Sequence, residues 1–418
     1  MCLRRGLLYL SALATLSLAG CGELGGGGET GWAGTVDTLS NGALLVTNPA
    51  EPLWAEDEGW RLVEELRIGS VESEGPDLFG QIVALEMGPD GRMYVLERDA
   101  RELRIFGPKG GHLRTVGRRG AGPGEFDDPI GMGWHADGEL WVVDPGNGRF
   151  SVFTADGDFV RSHPRPLGAY SIPWPGGFGP EGEVYERGFV PGDSPGSATV
   201  IRFAPDMSRA DTFPLPAAPD PQFFELVSEQ GSIAASVPFA PSMVRKLDPR
   251  GFVWFGISDR FRLIRTTLEG DTLLVVEKPA DPEPVTAEER EEALERLEWF
   301  TDQGGEVDPR RIPSEKPVLG PLFVVEGGPG RDGSGSQADP SGSDVAGADL
   351  AGHLFVAPFV DGTASYDTLT ALDPDGRYLG EVAVDPPIYG SPPPVIREDR
   401  ILAVTRDDLG VPYVVRYR

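Results

Sequence analysis

Few residue types in this chain could carry covalent chemistry. Its 418 residues include two cysteines, Cys2 and Cys21, and four histidines, His112, His135, His163 and His353. A thiol nucleophile needs a neighbouring base, and zinc needs several imidazoles or thiolates converging on one point. No Gly-x-Ser-x-Gly elbow lies between a strand and a helix, so the usual serine-hydrolase geometry is missing. Asp and Glu total 66. A carboxylate pair could work as acid and base, but such abundance singles out no pair. The residues that do stand out suit binding: Arg118, Arg119, Glu125, Asp144, Asn147 and Arg149, then Trp174, Arg187, Asp259 and Arg260. Arginine and aromatic side chains dominate binding hot spots. The cluster also has a purely structural use, because Asp144 and Arg149 could clamp their own hairpin as a charge-assisted pair.

The elements that position these residues follow from a repeat. A turn glycine precedes an aromatic by three residues at Gly91/Tyr94, Gly138/Trp141, Gly182/Tyr185, Gly251/Trp254 and Gly352/Phe355. The first two repeats share an offset of 47, with Phe79 mapping to Phe126, Phe106 to Phe153, Gly110 to Gly157 and Arg114 to Arg161. Periods of ~40–50 residues with about four strands each signal propeller blades. One blade reads directly. Strands are expected over 130–134, 140–143, 149–153 and 159–161, with Asp137-Gly138 and Asp156-Gly157 as hairpin turns. Gly 57 and Pro 40 fit many turns and short strands.

Successive turn glycines lie 47, 44, 69 and 101 residues apart, so the two long gaps hold insertions, at about 214–240 and 279–349. Residues 400–405 and 411–417 suggest a sixth repeat, and 60–68 has no blade of its own. That run is expected to close the ring as the outer strand of the last blade. The expected fold is therefore all-β: a six-bladed β-propeller of four-stranded antiparallel blades over 60–418, with a helical insertion between blades 4 and 5. The helix is expected at 286–303, opened by a capping box of Thr286 and Glu289. Residues 327–349 read as a Gly-, Ser- and Asp-rich loop without the EF-hand ligand spacing.

Gly120-Ala121-Gly122-Pro123-Gly124-Glu125-Phe126, followed by Pro129, Gly131, Asp144, Asn147 and Arg149, resembles the NHL repeat. Residues 60–418 resemble bacterial six-bladed, TolB-like propellers. That resemblance implies a ligand face made of inter-blade connections and second-to-third-strand loops, which would carry the ten binding candidates. It also implies that the Gly-Pro-Gly-Glu-Phe loop serves as an inter-blade joint. Calcium-dependent gluconolactonase-like propellers use a Glu, Asn and Asp set, yet the chain's asparagines are Asn41, Asn48 and Asn147 alone. Amidating lyases of NHL type use several histidines, whereas His112 and His163 fall at outer-strand ends. No metal and no cofactor is expected, and no catalytic residue can be named.

Residues 1–20 combine Arg4 and Arg5 with an apolar run over 6–18, a secretory signal pattern too short to span a membrane. Leu18-Ala19-Gly20-Cys21 resembles the bacterial lipobox, which implies cleavage before Cys21 and lipid attachment to its thiol. Gly22 rather than Asp after the cysteine implies outer-membrane sorting, with the protein facing the periplasm. Residues 21–33 read as a flexible tether and 34–59 as an extended segment. A net charge of −29 repels phosphate backbones and argues against nucleic-acid binding. The leading expectation is a lipid-anchored envelope module that binds a protein or small-molecule ligand. The alternatives are a lyase or hydrolase acting in the central channel on a small molecule, sugar or peptide, and a plain structural spacer.

Overall fold

The computed structural model describes residues 31–418 apart from 56–57, 73, 166–176, 189–198, 218–221, 229–230, 249, 326–351, 361–364 and 398. Within the folded unit Ala33–Arg418, nearly every element is a short strand. Ahead of the repeats come β1 (Thr35–Thr38), β2 (Leu44–Thr47) and β3 (Arg61–Ile68). Sheet A holds β4 (Ile82–Met87), β5 (Met93–Glu97), β6 (Glu102–Phe106) and β7 (His112–Val116). Sheet B holds β8 (Gly131–Trp134), β9 (Leu140–Asp144), β10 (Arg149–Phe153) and β11 (Phe159–Pro164). Sheet C holds β12 (Gly177–Phe178), β13 (Val184–Gly188), β14 (Thr199–Phe203) and β15 (Arg209–Pro214).

A separate hairpin follows, β16 (Phe223–Ser228) and β17 (Gly231–Ser236). Sheet D then contains β18 (Met243–Leu247), β19 (Val253–Ile257), β20 (Arg262–Thr266) and β21 (Thr272–Glu277). After helices α1 (Ala287–Glu295) and α2 (Glu298–Asp302), sheet E comprises β22 (Leu322–Val324), β23 (Leu354–Val356), β24 (Ser365–Leu372) and β25 (Tyr378–Tyr389). Sheet F contains β26 (Val395–Arg397), β27 (Arg400–Arg406) and β28 (Pro412–Tyr417). Each sheet is an antiparallel meander of sequence neighbours, so its pairings need only short loops.

Sheet F gains its fourth strand from the front of the folded unit. β3 pairs antiparallel with β28, placing Ile68 opposite Val414 and Leu66 opposite Arg416, as expected for 60–68. It also runs parallel to β25, with Arg61 opposite Ala383, which ties sheets E and F together.

The second-strand aromatics explain how sheets stack. Tyr94 joins Phe126 and Leu140 in the A–B core, and Trp141 joins Phe178 and Val184 in the B–C core. Tyr185 lies with Val253 and Leu268 between C and D, and Phe355 with Ile401 and Tyr417 between E and F. Leu85 and Met93 meet Ile68 and Val414 between F and A. Across D and E, Lys278 lies 4.5 Å over the Tyr378 ring, and Gly376 sits so close to Val276 that a Cβ would fall 2.5 Å from its methyl. The series of four-stranded antiparallel sheets thus returns from F to A, the β-propeller arrangement. Each large apolar side chain buried there contributes about 1.5–3 kcal/mol.

The segment 34–59, expected simply as extended, does more. β1 and β2 form a hairpin, and β2 runs parallel to β21 with Val46 opposite Val276, widening sheet D to six strands. Burial of Ala43 and Val46 holds it there. Asn48 Nδ2 then donates to the carbonyls of Glu277 (3.2 Å) and Gly376 (3.0 Å), while Tyr378 N donates to Asn48 Oδ1 (2.7 Å). The chain goes on to sheet E through Trp54 N and the Leu379 carbonyl at 2.9 Å. It works as an outer belt from sheet D past sheet E to sheet F.

The helix also differs in detail from the single helix expected over 286–303. The capping box is present, with Glu289 N donating to Thr286 Oγ1 at 3.2 Å and Thr286 N donating to Glu289 Oε2 at 2.9 Å. The helix then breaks between α1 and α2, where Leu297 N turns to the Leu294 carbonyl at 3.0 Å. That tightening brings Ala293, Leu297 and Phe300 together into one core. The loop expected over 327–349 lies outside the described residues.

Candidate binding face

Strand direction alternates within each sheet, so inter-sheet connections share a face with the loops between second and third strands. The connection 117–130 is the best defined part of that face. Its Gly120 and Gly124 have positive φ, and a Cβ on Gly120 would fall 2.1 Å from the Glu125 carboxylate. Glu125 accepts from Gly122 N at 2.7 Å and pairs with Arg118 at 2.6 Å. The Gly122 amide first, and Arg118 next, hold its carboxyl below the usual range.

Asp144 is fully buried and accepts from Asp127 N (3.1 Å), Asp128 N (2.8 Å) and Asn147 Nδ2 (2.7 Å). Asn147 Nδ2 also donates to the Gly120 carbonyl at 2.9 Å. Arg149 donates to the carbonyls of Ala121 (3.1 Å), Gly122 (2.6 Å) and Glu125 (2.8 Å). Asp144 and Arg149 face each other in register, yet no ion pair between them is present among the described residues. The expected mutual clamp is replaced by two separate grips on the incoming loop. The physical reason is that this loop offers otherwise unpaired amides to the acid and carbonyls to the guanidinium.

The same device recurs at the end of other second strands. Glu97 accepts from Gly80 N at 2.8 Å, and Ser258 Oγ accepts from Ser242 N at 2.9 Å. In sheet C, Glu186 takes Arg165 in a bidentate pair at 2.8 and 3.1 Å. Burial pushes the Glu186 carboxyl up more strongly than Arg165 pulls it down. Arg119, by contrast, projects into solvent, as do Arg118, Arg187, Asp259 and Arg260. Arg260 pairs with its neighbour Asp259 at 3.2 Å. Trp174 and Cys21 fall outside the described residues.

Two features were not legible as functional in the sequence. Both insertions meet in a shared core, where Phe224, Ala235 and Phe239 pack with Ala293, Leu297, Phe300 and Ile312. Phe359, from the loop after β23, joins at 6.2 Å from Phe239. The second feature is a cavity of about 340 Å³ between sheets C and D, walled by Val200, Phe213, Leu215, Val253, Phe255 and Leu268.

Two of the histidines serve packing. His135 and His163 both stack on Trp141, at 5.1 and 4.9 Å, and His135 Nε2 contacts the Gly182 carbonyl at 2.9 Å. Burial, then Arg161, lowers the His163 pKa. Among the described residues, no group of three or more His, Cys, Asp or Glu side chains converges as a metal site would. No helix among them is long and apolar enough to cross a membrane.

No protein-family model matches the chain, and no curated protein does. Solved structures do show likeness, and β-propeller proteins are among them. A putative exported protein from Bacteroides fragilis is 12% identical with a TM-score of 0.49, covering 90% of this chain and 99% of its own. Virginiamycin B lyase from Staphylococcus aureus is 12% identical at 0.41, covering 81% and 96%. The Cps50 (Swd1) β-propeller domain from Myceliophteria thermophila is 9% identical at 0.38, covering 85% and 99%. Likenesses of this size transfer neither residues nor an activity to this chain.

Proposed function

We propose that this chain is a lipid-anchored envelope protein whose six-bladed, NHL-like propeller acts as a binding or scaffold module. Cys21 carries the lipid, residues 21–33 tether the propeller, and Gly22 directs it to the outer membrane facing the periplasm. The helical insertion between the fourth and fifth blades belongs to the binding face. Arg118, Arg119, Arg187, Asp259 and Arg260, with Trp174, are the contact residues on this reading, while Asp144, Asn147 and Arg149 hold the loop that presents them.

The observation that carries the reading is an asymmetry between faces. On one, long connections and two insertions build a second core. On the other, turns such as Gly88–Arg92, Gly107–Gly111 and Thr154–Asp158 are five residues long, each closed by two backbone hydrogen bonds and carrying no insertion. Elaborated loops on a rigid scaffold are where proteins place recognition.

Two measurements test the proposal. Cys21→Ser should move the protein from the membrane fraction to the soluble fraction; retention on the membrane would overturn the anchor. Affinity capture of the full chain from solubilised envelopes should recover a specific partner, with recovery falling about tenfold in Arg119→Ala or Arg260→Ala. Lys109→Ala, on the opposite face, should leave recovery unchanged. Equal recovery by all three variants would refute the assignment of the face.

A further inference from the structure

Sheets C and D meet less completely than their neighbours. Among the described residues the C–D core has four buried members, Tyr185, Val200, Val253 and Leu268, where the A–B core has nine. Phe213, Leu215 and Phe255 stay half-buried around them and wall the cavity of about 340 Å³. Space of this size between layers that elsewhere close-pack has the dimensions of a ligand pocket rather than of a packing defect.

Comparison of two junctions shows what charge this one carries. In A–B, Arg92 of sheet A reaches the β10–β11 turn of sheet B, donating to the Ala155 carbonyl (3.0 Å) and pairing with Asp156 (2.7 Å). Tyr94 OH donates to the same carbonyl at 2.8 Å. The β20–β21 turn of sheet D is built alike. Thr267 N donates to the Asp271 carbonyl at 2.9 Å and Asp271 N to Thr267 Oγ1 at 3.2 Å, as Thr154 and Asp158 do at 2.9 and 3.1 Å. Glu269 therefore holds the place of Asp156, and Glu183, which follows the turn glycine Gly182, holds the place of Arg92. Two carboxylates stand where A–B has an ion pair, and like charges repel. Burial first, then Glu183 and, against Arg202, Glu269 push the Tyr185 hydroxyl up to about 12, so both carboxylates lie near it.

The local balance is negative. Arg202 pairs with Asp211 at 2.6 Å and lies 5.0 Å over the Phe213 ring, so three carboxylates share one guanidinium. Glu269 is the one ionisable side chain in the cavity lining, and it has no ion pair among the described residues. Arg245, opposite Phe255 on β18, is not part of the lining and puts positive charge toward the inner end. A cationic group is therefore directed to Glu269, at the outer end.

We propose that the C–D junction binds an aralkylammonium ion, its ring against Phe213, Phe255, Pro214 and Pro216 and its ammonium at Glu269. A cavity of about 340 Å³ lies at the small end of ligand pockets, which suits a single ring system, and phenylalanine walls offer it edge and face contacts. The site adjoins the β20–β21 turn, on the face opposite the binding candidates. It goes beyond the module reading, and either can fail without the other.

The test is calorimetric titration of the full chain carrying Cys21→Ser, which avoids detergent. The probes share one ring and differ in charge: tryptamine, neutral tryptophol and anionic indole-3-propionate, with methylammonium as the cation without a ring. Tryptamine should bind at one saturable site, about fivefold tighter than tryptophol, with indole-3-propionate weaker than both and methylammonium undetectable. Glu269→Gln should bring tryptamine down to the affinity of tryptophol and leave tryptophol unchanged, a split that loss of the pocket would not give. Leu215→Trp, which fills the cavity from a half-buried wall position, should abolish binding of both while thermal unfolding stays cooperative. Tryptophol binding as tightly as tryptamine, unchanged tryptamine affinity in Glu269→Gln or in Leu215→Trp, or no saturable binding would each overturn the proposal.

Discussion

A buried carboxylate can hold backbone or supply charge for chemistry, and its partners decide between the two. Asp144 and Glu97 accept from amides of connections that would otherwise be unpaired, which makes them fastenings for loops. Asp373 is a different case. It accepts from Asp375 N and Arg377 N, yet burial dominates and pushes its carboxyl up to about 6. A folded-state pKa raised above 3.8 means that the folded protein holds this proton more tightly than the unfolded chain. The stabilisation is complete below the unfolded pKa and is lost as pH rises through about 6. Asp373→Asn keeps the acceptor oxygen and removes the charge. It should therefore raise stability by about 2–3 kcal/mol at pH 7.5, with the difference vanishing near pH 4. Urea unfolding at both pH values measures this; a gain of equal size at each would show that charge burial is not the cause.

At the scale of elements, the two insertions form one cooperative piece. The first supplies β16 and β17 and the second supplies α1 and α2, and neither has enough apolar surface to fold alone. Phe300 is fully buried between them, and Gly305 approaches its ring so closely that a Cβ would fall 2.3 Å from it. Phe300→Ala should destabilise this piece by about 3–5 kcal/mol. Hydrogen exchange should then show β16 and β17 losing protection together with α1, while β5 and β6 in sheet A are unaffected. Preserved protection in the hairpin would show that the insertions are independent. The capping box at Thr286 was legible because its two hydrogen bonds are local. The break at 296–297 was not, because it answers to a core completed by residues about sixty positions away.

At the scale of the whole folded unit, β3 decides whether the series of sheets can close. It covers the edge of β28, and Ile68 sits in the F–A core with Val414 and Met93. Deleting the chain through residue 68 should abolish cooperative thermal unfolding and expose an aggregating edge. Deleting only through residue 50 removes β1, β2 and Asn48 but keeps β3. That variant should still melt cooperatively, at a lower temperature. Circular dichroism melts of the two truncations decide the matter: similar cooperative melts would mean that closure does not depend on this strand.

Turn glycines, their aromatic partners and the 47-residue offset were readable in the amino-acid order, because strand period and hairpin turns depend on adjacent residues. Even the closing strand was readable, as a β-rich run left over once the repeats were counted. The belt over sheets D to F, the common core of the insertions and the cavity between sheets C and D were decided only by folding. Each depends on which faces of distant strands come to lie opposite one another. Strand alternation says that a side chain has one of two faces; only packing says what that face meets.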